Sequence, residues 1–287
     1  MLTIRLMSLL TLLLNVPVGN AQNQKAGLSI APKSVSVGQG EVARWAGNCL
    51  RCSLEKRAWS PVNGTCYYPV DMDMKPGSYT ISRRTTGGKL ETATLQVTLK
   101  ACTQEDLKNF PKKEYINVAP QNQARAAKEA AVVNPIISYK TTVRPAVFDL
   151  PVGKPAHSLP KGEGNFGACR TFDGQPRDRH TGQDYPVGMG EPVLSAGNGR
   201  VLLAANHFYS GNSVYIDHGN GLISEYFHLK SYSVKPNQTV TKGQKIGLVG
   251  ETGRVTGPHL HFGVRWHGAC INPGFLLIDP SDIPQVK

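Results

Sequence analysis

The chain has no histidine before residue 157, although 8 of its 287 residues are histidine. Chemistry that rests on imidazole is therefore confined to the C-terminal half. No apolar run is long enough to cross a bilayer: Leu6 to Leu14 is about half the length a membrane helix needs. No helix with clustered Arg and Lys and no nucleic-acid motif can be found, so the formal charge of +12 does not point to nucleic acid. That charge lies early, because residues 22–100 carry 11 Lys and Arg against 5 Asp and Glu, whereas residues 160–287 carry 12 against 10. A basic surface of this kind suits anionic wall or envelope polymers as partners of the N-terminal part.

What is present begins with an export signal. Met1 to Ala21 combines a positive charge at Arg5, a short apolar stretch and small residues at Gly19-Asn20-Ala21. No cysteine stands at the cleavage position, which argues against a lipid anchor. The expected location is periplasmic or secreted, with no transmembrane segment after signal removal. In such a compartment the 6 cysteines favour disulfides. Cys49, Cys52, Cys66 and Cys102 fall early and are expected to pair among themselves, in a connectivity the sequence leaves open. Cys169 and Cys270 flank the histidine-rich region and are expected to pair with each other. The spacing after Cys66 fits no common zinc motif.

The fold class read from patterning is mainly β, in two domains. Residues 22–102 alternate, with Val35 and Val37, Tyr79 and Ile81, and Leu95, Val97 and Leu99 as inward candidates. They predict a small antiparallel, Ig-like β-sandwich accessory domain. Residues 103–159 form a connector, with a helix over Gln121 to Val133 ended by Asn134-Pro135, and a strand over Ile136 to Val143. Residues 160–287 carry short apolar runs between Gly-rich turns and predict a compact antiparallel β domain.

Three short patterns there hold five chemically capable residues. In His180-Thr181-Gly182-Gln183-Asp184, the imidazole and carboxylate can reach one ion, although on spacing alone His180 could equally be an exposed loop histidine. In Gly257-Pro258-His259-Leu260-His261-Phe262, strand alternation sets His259 and His261 on one face and Leu260 and Phe262 on the other. The apolar pair needs a core, so the histidine face lines a groove, and two unpaired buried imidazoles would be costly. In Tyr226-Phe227-His228-Leu229, His228 alternates with apolar neighbours and becomes a candidate third imidazole. His157 lies in the connector, His207 and His267 are expected at the surface or in turns, and His218 in a structural turn.

These motifs, in this order, resemble the lysostaphin-type zinc endopeptidases of bacterial cell walls, the LytM-domain peptidases. Asn165-Phe166-Gly167, Gly190 to Ala196, Asp217 to Gly221 and Lys242 to Gly247 extend the resemblance over about residues 162–280. The resemblance implies an antiparallel LytM-type domain with one catalytic Zn2+ held by His180, Asp184 and His261. It also implies His259 as general base and His228 as its catalytic neighbour. The activity implied is hydrolysis of peptide cross-links of peptidoglycan by a zinc-activated water, with stem peptides as substrate. No glutamate lies within these motifs, and a histidine off the metal suits the base with its intrinsic pKa of ~6.5. Relatives that cut glycine bridges carry a Tyr shortly before the first ligand; Thr171 to Arg179 holds none, which favours direct stem-peptide cross-links. The alternatives are a LytM-like regulator without catalysis and a secreted peptidase acting on Gly-rich proteins. The N-terminal domain is expected either to target the wall or to cover the groove.

Overall fold

The computed structural model describes residues 33–138, 151–152 and 165–287. The export segment Met1 to Ala21, positions 139–143 of the expected strand and His157 lie outside the described residues. The described residues belong to one compact unit.

Among the described residues, seven strands precede residue 100: β1 (Ser34–Gly38), β2 (Val42–Trp45), β3 (Cys49–Leu54), β4 (Arg57–Trp59), β5 (Cys66–Pro69), β6 (Gly77–Thr85) and β7 (Leu90–Thr98). Five make a sheet in the order β1-β7-β6-β3-β4, and the β2-β5 pair closes over it. Trp45, Tyr68, Ile81 and Leu95 fill the core between them. The period of two does the sorting: in β7, Ala93, Leu95 and Val97 are buried while the Thr and Gln between them are exposed. Each such Leu or Val contributes ~1.5–3 kcal/mol by leaving water. Leu99 follows the strand's last residue and is 74% exposed. The β1–β7 pairing is parallel rather than antiparallel.

The connector is folded onto the C-terminal half. Strand β8 (Gln104–Leu107) runs parallel to β9 (Cys169–Phe172), with β10 (Gln175–Pro176) on the other side of β9. Helix α1 spans Pro120–Ile137 and starts with a proline in its first turn. It runs past Pro135, whose missing N–H costs one bond in a turn where the helix is ending anyway. Ile136 and Ile137 therefore close the helix instead of opening a strand. Arg125 of α1 donates to Asn206 Oδ1 at 2.9 Å, and Glu129 accepts from the Phe208 amide at 2.7 Å.

The C-terminal strands are β11 (Gly182–Tyr185), β12 (Pro192–Leu194), β13 (Gly199–His207), β14 (Gly211–Asp217), β15 (Leu222–Leu229), β16 (Ser231–Tyr232), β17 (Thr239–Val240), β18 (Lys245–Leu248), β19 (Leu260–Trp266) and β20 (Ala269–Ile271). One sheet runs β11-β19-β15-β14-β13-β17 with β20 beside β19, and β12-β18-β16 form a smaller one. Val193, Tyr226, Ile246, Leu260 and Phe262 are fully buried between these sheets. The sandwich packs against this half directly. Met72 and Cys270 share a backbone bond, Trp59 stacks on His267, and Lys287 pairs with Ser34.

The disulfides correct the expected pairing. They join Cys52 to Cys66 and Cys102 to Cys169, leaving Cys49 and Cys270 as buried thiols. The parallel β8–β9 register sets Gln104 opposite Cys169 and so brings Cys102 alongside. Cys270 is instead held in β20 opposite Arg265, its Sγ 3.3 Å from Thr181 O, and burial pushes its thiol up to about 12.

Candidate metal centre

His180 lies in the turn before β11, Asp184 within β11, His261 on β19 and His228 near the end of β15, so three adjacent strands of one sheet converge. Antiparallel register places Asp184 opposite His261, and His261 opposite Phe227. Alternation along β19 buries Leu260 and Phe262 in the core and turns His261 to the other face. The His261 ring lies flat against Phe227, with centroids 5.1 Å apart. A methyl group on Gly182 would come within 2.6 Å of His261 Nε2, so only glycine leaves room for this imidazole.

His228 needs a special backbone. Tyr226 pairs with Val214 and Leu229 with Asn212, so Phe227 and His228 face a single residue, a β-bulge. His228 takes φ 63°, a conformation uncommon for any residue but glycine. The bulge re-aims the imidazole, which approaches His259 with centroids 5.1 Å apart.

The ligand atoms are close together. His180 Nε2 is 2.8 Å from His261 Nδ1 and 3.0 Å from Asp184 Oδ1, and His261 Nδ1 is also 3.0 Å from that oxygen. His180, Asp184 and His261 are the one group of potential metal ligands found among the described residues. Backbone carbonyls set the tautomers around them. Nδ1–H of His180 donates to Asn165 O at 2.9 Å, that of His228 to Thr252 O at 2.9 Å, and that of His259 to Gly257 O at 2.9 Å. With Nδ1 committed as the donor, it is Nε2 of each ring that is left for ligation or proton uptake. His259 Nε2 is 3.6 Å from Asp184 Oδ1, beside the triad rather than in it.

This donor set fits a divalent cation. His261 Nε2 is buried with no hydrogen-bond partner. If its proton is on Nδ1, one N–H must serve two facing acceptors while Nε2 is left unpaired; if it is on Nε2, three electron pairs face one another. A cation among them removes the conflict, and two imidazoles with one carboxylate suit zinc while leaving a position open.

The electrostatics agree. Burial pushes His261 down to about 4, partly opposed by Asp184, so it is neutral at pH 7. Burial, with the neighbouring His259 and His261, also holds His228 well below the usual imidazole range. Burial opposes ionisation of Asp184, yet its contacts with His180 and His261 hold its carboxyl well below the ordinary range. The second oxygen, Oδ2, accepts from Asn165 Nδ2 at 3.0 Å and Arg170 Nη2 at 2.8 Å. That leaves Oδ1 to the centre. Arg170 is itself held by Glu105 of β8 at 2.6 Å.

The patterns of the sequence contained all five residues that gather here. They did not contain Asn165, Arg170 and Glu105 as supports, whose contacts cross 14 to 65 residues of chain. A cavity of about 660 Å³ opens over His228, His259 and Asp184, with Leu107, Phe110 and Phe172 among its walls. Among the described residues, no lining group comes from the sandwich. His218 is buried elsewhere, between Asn198 O and Ser224 Oγ, and burial pushes it down to about 4.

Residues 178–273 match Peptidase family M23. The peptidoglycan DD-endopeptidase ShyA of Vibrio cholerae is 47% identical over 93 residues, covering 32% of this chain and 22% of ShyA. The DD-carboxypeptidase/endopeptidase Mpg of Neisseria meningitidis is 38% identical over 106 residues, covering 37% of this chain and 24% of Mpg. The chain thus spans under a quarter of the length of these curated relatives. A solved structure from Pseudomonas aeruginosa assigned to peptidase M23 aligns with TM-score 0.63 at 25% identity, covering 83% of this chain and 94% of that one. Residues 178–273 form a peptidase M23 domain of the LytM type.

Proposed function

We propose that this protein is an exported zinc endopeptidase that hydrolyses peptide cross-links of bacterial peptidoglycan. His180, Asp184 and His261 would hold one zinc ion, His259 would act as general base and His228 as its catalytic neighbour. The observation that carries this reading is the convergence of His180 Nε2, His261 Nδ1 and Asp184 Oδ1 within 4.8 Å of one another, with His259 Nε2 just beside them. The similarity to ShyA, whose name is peptidoglycan DD-endopeptidase, supports the substrate class. When bound, zinc lowers the pKa of water to roughly 7 and polarises a carbonyl.

The residues divide the remaining work. Nδ1–H of His259 is tied to Gly257 O, so Nε2 is free to take a proton from the attacking water and return it to the leaving amine. Nδ1 of His228 is tied to Thr252 O, so it too acts through Nε2. Burial holds it below the usual imidazole range at rest; a proton taken up from solvent at Nε2 as negative charge develops beside it would then be donated in a hydrogen bond to the oxyanion. Arg170 and Asn165 fix Asp184, and Glu105 fixes Arg170.

The same reading divides the chain into an accessory sandwich (22–102), a connector (103–159) and the peptidase (160–287). Two disulfides suit the oxidising space outside the cytoplasm. The test is digestion of purified peptidoglycan by the zinc-loaded protein, with products identified by mass spectrometry. New stem-peptide termini are expected; an unchanged digest from protein carrying full zinc would overturn the reading.

A further inference from the structure

The groove contains one cation that the proposed chemistry does not use. Arg254 lines it together with His228, His259 and Phe172. Its guanidinium lies over the Phe172 ring at 5.3 Å and the Tyr209 ring at 4.8 Å, and its backbone N–H donates to Tyr209 O. Both rings lie within cation–π distance of the guanidinium.

The other cations around it are satisfied. Arg170 is paired with Glu105 and Asp184. Arg177 donates to Pro176 O, Ile116 O and Gln175 Oε1. Lys112 donates to Glu251 O and Gly253 O. The guanidinium of Arg254 has no hydrogen-bonded or ion-paired acceptor among the described residues. Burial pushes its pKa down, with Tyr209 and Asp178 opposing the shift and Arg177 and Arg170 adding to it. Removing a cation from water without a partner costs free energy that an incoming anion would restore.

We propose that Arg254 is a carboxylate-binding subsite of the groove, which selects peptide substrates carrying a free carboxylate near the bond that is cut. The proposal rests on the peptidase reading for the substrate's being a peptide. A planar guanidinium donates two parallel N–H···O bonds to a carboxylate, and the two rings beside Arg254 hold it at the groove wall for that ligand. The apolar wall of Leu107 and Phe110 would take the methylenes that carry the acid. Both residues lie before the M23 match at 178–273, so the connector contributes to substrate choice.

The test compares kcat/KM for two substrates on the full, zinc-loaded protein: cross-linked muropeptide dimers with free carboxylates, and the same dimers converted to carboxamides. The ratio does not depend on how much of a variant is folded. A preference of ~10- to 100-fold for the free acids is expected from one charge-assisted pair. Arg254→Gln should bring the ratio close to one, and Arg254→Lys should retain part of it. A ratio near one in the wild type, or the same ratio in Arg254→Gln, would overturn the subsite and show Arg254 to be a packing brace between two rings. If no form cuts either dimer, the peptidase reading fails, and calorimetric titration with the same dimers still tests Arg254. Tighter binding of the free acid by wild type but not by Arg254→Gln supports the subsite; equal binding of acid and amide overturns it.

Discussion

Strands β7 and β19 have the same arithmetic and opposite uses. Each alternates, with Ala93, Leu95 and Val97 buried in one and Leu260, Phe262 and Val264 in the other. In β7 the opposite face carries Thr and Gln and meets water. In β19 the opposite face carries His261, at 5% exposure, packed against Phe227 and the backbone of Gly182. A polar strand face becomes a site only when neighbouring strands wall it in. Here β11, the bulge in β15 and the connector's β8 do so. The sandwich, built from the same pattern, carries no histidine and lines no part of the groove among the described residues.

The comparison can be broken most sharply at His261. His261→Ala should lower zinc affinity by more than the ~10–100-fold typical of supporting contacts and remove turnover with it. Zinc retained at one ion per chain, measured by elemental analysis, would contradict that. The matching cut in β7 acts on stability alone: Leu95→Ala should cost ~2–5 kcal/mol in urea unfolding and leave zinc affinity of the folded protein unchanged. Arg170→Leu lies between the two. It removes one of the two donors to Asp184 Oδ2, Asn165 keeping the other, and should weaken zinc ~10–100-fold with little change in the melting curve.

The smallest effect is one of pH. His218 is fully enclosed, and its folded pKa of about 4 lies below the unfolded value near ~6.5. As pH falls below that unfolded value, the unfolded chain binds a proton that the folded chain refuses. Stability is therefore present above pH ~6.5 and declines towards pH ~4. Between pH ~7 and ~5.5 the loss from this one group is about 1 kcal/mol. Urea unfolding of His218→Asn should lack that share of the decline; an identical pH dependence in the variant would count against it.

How much of the molecule is legible in its sequence depends on the range of the contacts. The five histidine and aspartate positions lie in short motifs whose alternation and turn residues are local, so residue order alone picks them out. The β-bulge at His228 is not legible there, because it depends on its register against β14. Nor are the supports: Arg170 reaches Glu105 only because β8 runs parallel to β9, and the same pairing sends Cys102 to Cys169. The extension of α1 past Pro135 reflects a helix pinned to β13 by Arg125 and Glu129, a tertiary preference stronger than the local stop signal.

The central claim is the division of labour between His261 of β19, as ligand, and His259 just before that strand, as base. It is tested most directly by measuring zinc content and turnover together in His259→Ala. The account predicts one zinc per chain and a loss of ~10²–10⁴-fold in turnover on peptidoglycan. Loss of zinc, or turnover close to that of the wild type, would contradict it.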